Sequence, residues 1–166
     1  MMIVKGKVLS VIAFLLLASS LAVVNASRTR TPFYFKAVVL TMTMEWEHPA
    51  DNSHLIMKIV EGGNVESEDG QTVGTWAMDI VEVLSGKTGR GTASGHLGID
   101  FNSGVSVEGT ITAKIQMYIG TSLPPDVDGK FVGHGDMHVM SDLYLIMEER
   151  GAGNFVPVLV LDGYSW

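Results

Sequence analysis

Apolar and polar residues alternate with a period of two along most of the chain beyond residue 30. The segment Val105–Ile119 is the clearest case, because its odd-numbered positions are apolar or glycine and its even-numbered positions are mostly polar. Such alternation is typical of a half-buried β-strand with one face in solvent. A helix would spread the same apolar residues around its circumference. The pattern therefore predicts a sheet protein.

Further segments with this alternation, separated by turn signals, predict seven or eight strands. The predicted strands are 33–46, 55–60, 72–84, 91–101, 105–119, 131–147 as one bent strand or two, and 155–161. One face of the first strand is expected to carry Tyr34, Val38, Leu40, Met42, Met44 and Trp46. The polar stretch 61–70 is expected to be a loop. Pro157 has no N–H for a ladder bond, which predicts an edge or a bulge in the last strand.

Glycine content favours a strongly curved sheet. Residues 27–166 contain 18 glycines among 140 residues, about 13 % against a usual ~7 %. Glycines within strand patterns indicate bulges and tight bends, which small barrels need. The sequence therefore predicts an all-β fold, a single antiparallel β-barrel of seven or eight strands, with a β-sandwich as the alternative.

The N-terminus has the pattern of a secretory signal peptide. Lys5 and Lys7 precede an apolar run over 8–24, and Val24-Asn25-Ala26 offers small side chains for cleavage after Ala26. The alternative is a retained anchor, but the run is interrupted by serines and is shorter than the about 20 apolar residues that a membrane span needs. The predicted organisation is a signal peptide over 1–26 and one β domain over 27–166. The protein is expected to be secreted, periplasmic or on the cell surface, with no stable membrane span after cleavage.

Charge and cysteine content exclude several classes of function. Removal of residues 1–26 leaves nine basic and 18 acidic side chains, a net charge of −9. Such an acidic chain has no basic patch for nucleic acid, so no nucleic-acid partner is expected. The chain has no cysteine, which rules out disulfides, thiolate metal sites and a cysteine nucleophile.

Two short motifs resemble those of known barrel families. Gly74-Thr75-Trp76 resembles the Gly-x-Trp of calycins (lipocalins and avidins), although that motif lies on the first strand there and two predicted strands precede it here. Gly129-Lys130-Phe131, followed by Gly133 and Gly135, resembles a turn of dirigent and allene-oxide-cyclase barrels. The second glycine is one residue closer to the phenylalanine than in that pattern. Both resemblances imply a barrel and carry over no catalytic residue.

The densest group of metal-ligating residue types is His134, Asp136 and His138. On an extended strand these side chains would share one face with neighbours about 7 Å apart, so two of them with a ligand from another strand could hold copper or zinc. The alternative is a polar strand face with ordinary hydrogen-bonded histidines. Acidic turns at 66–70 and 126–129 offer oxygen ligands for calcium, although neither completes a known ligand series. A copper, zinc or calcium ion is thus a possible cofactor, while no cofactor is the simpler expectation.

Eight methionines lie in residues 27–166, and the simplest interpretation is that they line a core or a ligand cavity. No motif for a nucleophile, a phosphate loop or a dinucleotide is present, so catalysis is not expected, although Asp79, Glu82 and Asp100 could lie inside a barrel. The sequence predicts an exported binding module for a small apolar molecule. The alternative is a surface or filament subunit that self-associates by donating the strand Thr31–Leu40 to another copy.

Overall fold

The computed structural model describes residues 29–47 and 53–166, which form eight strands. The strands are β1 Thr31–Glu47, β2 His54–Glu66, β3 Thr72–Ser85, β4 Arg90–Phe101, β5 Ser106–Gln116, β6 Asp126–Gly135, β7 Val139–Glu149 and β8 Phe155–Ser165. The predicted signal peptide, its cleavage site and the turn at 49–52 lie outside the described residues. Within the described part of the chain, no helix is long and apolar enough to cross a membrane.

The strands form a closed antiparallel barrel in chain order. Each strand pairs with its successor, and β8 pairs with β1 to complete the ring. The predicted all-β fold and the barrel are therefore confirmed, and the sandwich alternative is wrong. Closure gives every strand two neighbours, although β1 beyond Val38 pairs with β2 alone.

The predicted end of β2 is wrong, whereas the prediction of two strands within 131–147 agrees with the structure. β2 does not end at Val60 but continues to Glu66, because its polar residues still find ladder partners on both β1 and β3. The predicted loop shrinks to a tight turn at Ser67–Gly70, with Gly70 at a φ of +80°. The stretch 131–147 contains the end of β6 and most of β7, separated by a turn at 136–138.

A β-bulge in β1 changes which side chains point inward. The register with β2 shifts between Val39 and Thr41, leaving Leu40 without a partner. Before the bulge Phe33, Phe35, Ala37 and Val39 pack in the core, whereas after it Met42, Met44 and Trp46 line the interior. The single face predicted for Tyr34 to Trp46 is therefore wrong, since one inserted residue reverses the alternation.

The two ends of the barrel differ in packing. The end where β1 begins and β2 finishes is filled by large side chains, including Phe33, Phe35 and Phe101. The ring centroid of Phe35 lies 4.8 Å from that of Phe33 and 5.0 Å from that of Phe101. Trp76 of β3 is buried there, and its Nε1–H donates to the carbonyl oxygen of Val38 at 3.0 Å. This end is a packed core. The opposite end is the one at which β1, β3, β5 and β7 end.

An ion-pair network joins Arg150, at the start of the β7–β8 turn, to side chains of neighbouring strands. Arg150 donates to both carboxylate oxygens of Glu66 at 2.9 and 2.7 Å and also contacts Glu148. Glu148 accepts from Lys36 of β1 at 2.7 Å. Beside the network lies a second apolar cluster, formed by Val38, Val158 and Val160 with their neighbours. The network thus connects β7, β1 and the end of β2.

Candidate functional site

The barrel contains a cavity of about 490 Å³ at the end opposite the packed core. All eight strands contribute to its wall, and the β5–β6 loop contributes Ser122, Pro124 and Pro125. Met42, Met44 and Trp46 line it while remaining 43–50 % exposed, so the cavity is in contact with solvent on the β1 side. The volume lies within the roughly 300–1,000 Å³ of small-molecule sites.

Small residues on three neighbouring strands leave this space empty. Glu82 of β3 lies opposite Ala93 of β4, which lies opposite Ala113 of β5, which in turn faces Gly129 of β6. In an eight-stranded barrel the interior is just wide enough for side chains to fill, so a run of small ones opens a cavity. The positions of these small residues therefore determine where the packed core ends and the cavity begins.

The wall is incomplete beside the cavity. The ladder between β1 and β8 ends at the pair Val38–Val158, and the part of β1 beyond the bulge pairs with β2 alone. Pro157 pairs only with Met147 of β7, so its missing N–H falls on the unpaired side, in agreement with the predicted local edge. This gap gives the cavity a lateral opening.

Methionine is the most frequent residue type in the cavity wall. Six of the eight methionines of residues 27–166 line it: Met42, Met44, Met57, Met78, Met117 and Met147. Of the other two, Met137 packs against the core and Met140 is 54 % exposed. Unbranched, polarizable side chains adapt to ligands of different shape, so the wall suits an apolar guest.

Two carboxyl groups interrupt this apolar lining. Glu61 of β2 lies between Met42 and Met78, and Glu82 lies between Met57 and Ala93. Both are only partly exposed, and neither has a hydrogen bond or ion pair with any described residue. Burial, with a smaller contribution from the charge of Glu61, raises the pKa of Glu82 to about 7. Burial also raises the pKa of Glu61.

Sequence reasoning found these two carboxyls only in part. Glu82 was one of three acids that could lie inside a barrel, and its parity with Trp76, Met78 and Ile80 is the signal that places it inward. Asp79 and Asp100 point outward instead and are exposed. They border a shallow depression on the outer face of β2–β5, together with His96 and Glu108. Glu61 was missed because its polar surroundings resemble a loop.

The structure gives the three predicted metal ligands different surroundings. His134 is exposed on β6 opposite Glu108, while Asp136 accepts a hydrogen bond from the Ser106 N–H at 2.8 Å. The His138 ring stacks on Trp166, with centroids 6.1 Å apart. The predicted shared face is wrong because the strand ends at Gly135. In 29–47 and 53–166, no group of three acidic or histidine side chains could hold a metal ion. Whether copper or zinc binds stays a prediction.

Three of the acidic residues in the turns proposed for calcium have other partners. Glu66 is buried and paired with Arg150, and Asp69 accepts from the Ser67 hydroxyl. Asp126 accepts from the Tyr118 hydroxyl. Calcium binding stays a prediction as well, but these oxygens are already engaged.

Comparisons with known proteins give no match: no protein-family model, no curated protein and no solved structure resembles this chain significantly. The Gly-x-Trp and Gly-x-Phe resemblances therefore stay predictions. In the structure Trp76 lies on β3 at the packed end of the barrel. Gly129 lies beside Ala113, in the run of small residues on β4, β5 and β6.

Proposed function

We propose that this protein is an exported binding module that holds a small apolar ligand inside its barrel. The cavity carries the proposal, because it is large enough for such a ligand, mainly apolar, and lined by six methionines. The packed end closes one side, and the gap between β1 and β8 provides a path for the ligand. The proposed activity is binding, because the described wall is mainly apolar and open to solvent on the β1 side.

A displacement assay tests the proposal. The purified protein is mixed with an uncharged apolar dye such as N-phenyl-1-naphthylamine, whose fluorescence rises in apolar surroundings, and a terpene alcohol is added as competitor. We expect saturable dye uptake and complete displacement by the competitor. Since partly unfolded chains also bind such dyes, the far- and near-UV circular dichroism must stay unchanged during the titration.

Matched variants locate the binding. Ala113→Phe fills the cavity from inside the wall, whereas Ala77→Phe places the same ring on the exposed outer face of β3. Ala113→Phe is expected to abolish uptake, and Ala77→Phe is expected to retain it. Equal uptake by both variants would show that the dye binds elsewhere and would contradict the proposal.

The strand-donation alternative predicts a different result in solution. Residues 31–38 of β1 already pair with β8, and β1 from Lys36 onward pairs with β2, so donation would require this strand to leave its own barrel. Filaments seen by electron microscopy, and their loss on deletion of residues 27–40, would favour that alternative. A ligand-binding module is expected to be monomeric.

A further inference from the structure

We propose that the ligand is an apolar amine, whose ammonium group pairs with Glu82 and is also attracted by the negative charge of Glu61. This inference rests on the proposed function, since it names the chemical class of the ligand of the same cavity. It follows from the position of two carboxyls in a wall that otherwise offers almost no polar atoms.

Both carboxyls lie on one side of the cavity. Both belong to neighbouring strands, Glu61 on β2 and Glu82 on β3, and they lie four ladder positions apart. Ile59 and Ile80 form the pair between them, so an apolar surface separates the two groups. A ligand in this cavity therefore meets negative charge along one wall and hydrocarbon on the others. That arrangement fits a molecule with a cationic part and an apolar part.

Within residues 29–47 and 53–166, nothing else that lines the cavity compensates the two charges. Of the 24 described residues in the wall, only Glu61 and Glu82 are titratable, and no lysine, arginine or histidine among them faces the two carboxyls. A buried charge is costly unless it is paired. An ammonium group supplies the missing charge and up to three donors, whereas a carboxylate ligand would add repulsion.

The protonation of the carboxyls makes the affinity depend on pH. Because burial raises the pKa of Glu82 to about 7, this group is about one-tenth ionised at pH 6 and nine-tenths ionised at pH 8. An alkyl ammonium resembles lysine, with a pKa near 10.4, and stays charged throughout this range. Affinity for an amine should therefore rise about tenfold from pH 6 to pH 8. A neutral ligand should show no such rise.

Isothermal titration calorimetry with three probes of equal chain length tests this inference. The probes are 1-aminooctane, 1-octanol and octanoate, each titrated into the purified protein at pH 6 and pH 8. At pH 8 we expect the amine to bind about 10- to 100-fold more tightly than the alcohol, since a charged hydrogen bond is worth about 1.5–3 kcal/mol. Octanoate is expected to bind most weakly.

Isosteric variants assign the effect to the two carboxyls. Glu61→Gln and Glu82→Gln should each reduce the preference for the amine over the alcohol, and the double variant should abolish it together with the pH dependence. Glu108→Gln, on the exposed outer face of β5, is the matched control and should behave like the unmodified protein. All variants should still bind octanol, which shows that their cavities are intact.

The outcomes separate the inference from the proposed function. Equal affinity for amine and alcohol, or tighter binding of the alcohol at pH 6 through a protonated carboxyl, would overturn the amine assignment and leave a ligand-binding barrel. An amine preference that survives in the double variant would also overturn it. Failure of all three probes and of the dye would refute the proposed function itself.

Discussion

Replacing Glu82 by glutamine should stabilise the protein by an amount that grows between pH 4.5 and 7 and is complete above pH 7. In the folded state burial raises the pKa of Glu82 to about 7, against an ordinary value of 4.5. The folded protein therefore binds more protons than the unfolded chain between pH 4.5 and 7, and its free energy of unfolding falls as the pH rises through that range. The unfavourable contribution is complete above pH 7 and absent below pH 4.5.

The magnitude follows from the size of this shift. At 1.36 kcal/mol per pKa unit the upper bound is about 3 kcal/mol, and solvent in the cavity reduces it, so we expect roughly 1–3 kcal/mol. Glu82→Gln should accordingly raise the melting temperature at pH 8 by roughly 2–12 °C for a chain of this size. At pH 4.5 the variant and the unmodified protein should melt together.

Differential scanning calorimetry at pH 4.5, 6, 7 and 8 measures this difference. Glu108→Gln makes the same chemical change on the outer surface and should alter the free energy of unfolding by no more than about 0.5 kcal/mol at any pH. If Glu82→Gln destabilises the protein at pH 8, or shifts its stability equally at all four values, then Glu82 is not a desolvated, unpartnered carboxyl. The account of the cavity would then be wrong.

Four further predictions concern the frame of the barrel, its ion pairs, metal binding and export. Gly63→Ala should destabilise the fold by about 2–4 kcal/mol in urea unfolding, because its Cβ would lie 1.9 Å from the Val38 carbonyl oxygen, whereas Gly98→Ala, with nothing nearer than 3.9 Å, should change little. Arg150→Gln should cost roughly 2 kcal/mol by leaving the buried Glu66 carboxylate unpaired, and the loss should be insensitive to salt. If copper or zinc binds at the β6–β7 turn, calorimetry should show stoichiometric binding that is lost in His138→Ala; no micromolar binding would return the histidines to a structural role. The intact mass of the exported product should correspond to residues 27–166, and a mass that includes residues 1–26 would contradict cleavage after Ala26.

Much of the fold could be predicted because alternation is a direct consequence of barrel geometry. On β3 the inward residues Trp76, Met78, Ile80 and Leu84 share one parity, and the structure buries all four. Every predicted strand exists. Alternation does not distinguish a closed barrel from a sandwich, so the preference for a barrel depended on the glycine content.

The errors arise where backbone pairing overrides side-chain polarity. The bulge at Leu40 has no local signature, because Val38 and Val39 make both faces of β1 apolar just before it. The polar run from Glu61 to Glu66 looks like a loop, yet ladder bonds to two neighbours hold it in β2. Glu61 could not be predicted as a cavity residue, since its inward direction depends on that continued pairing.

The methionine methyl groups provide the most direct test of ligand binding inside the barrel. The protein is labelled with ¹³C at the methionine ε-methyl groups and titrated with 1-aminooctane, with ¹H–¹³C correlation spectra recorded at pH 8. The methyl signals of the six cavity methionines should shift saturably, while Met140, on the outer surface, should not move. Unchanged cavity signals at saturating probe, or shifts confined to Met140, would contradict the account.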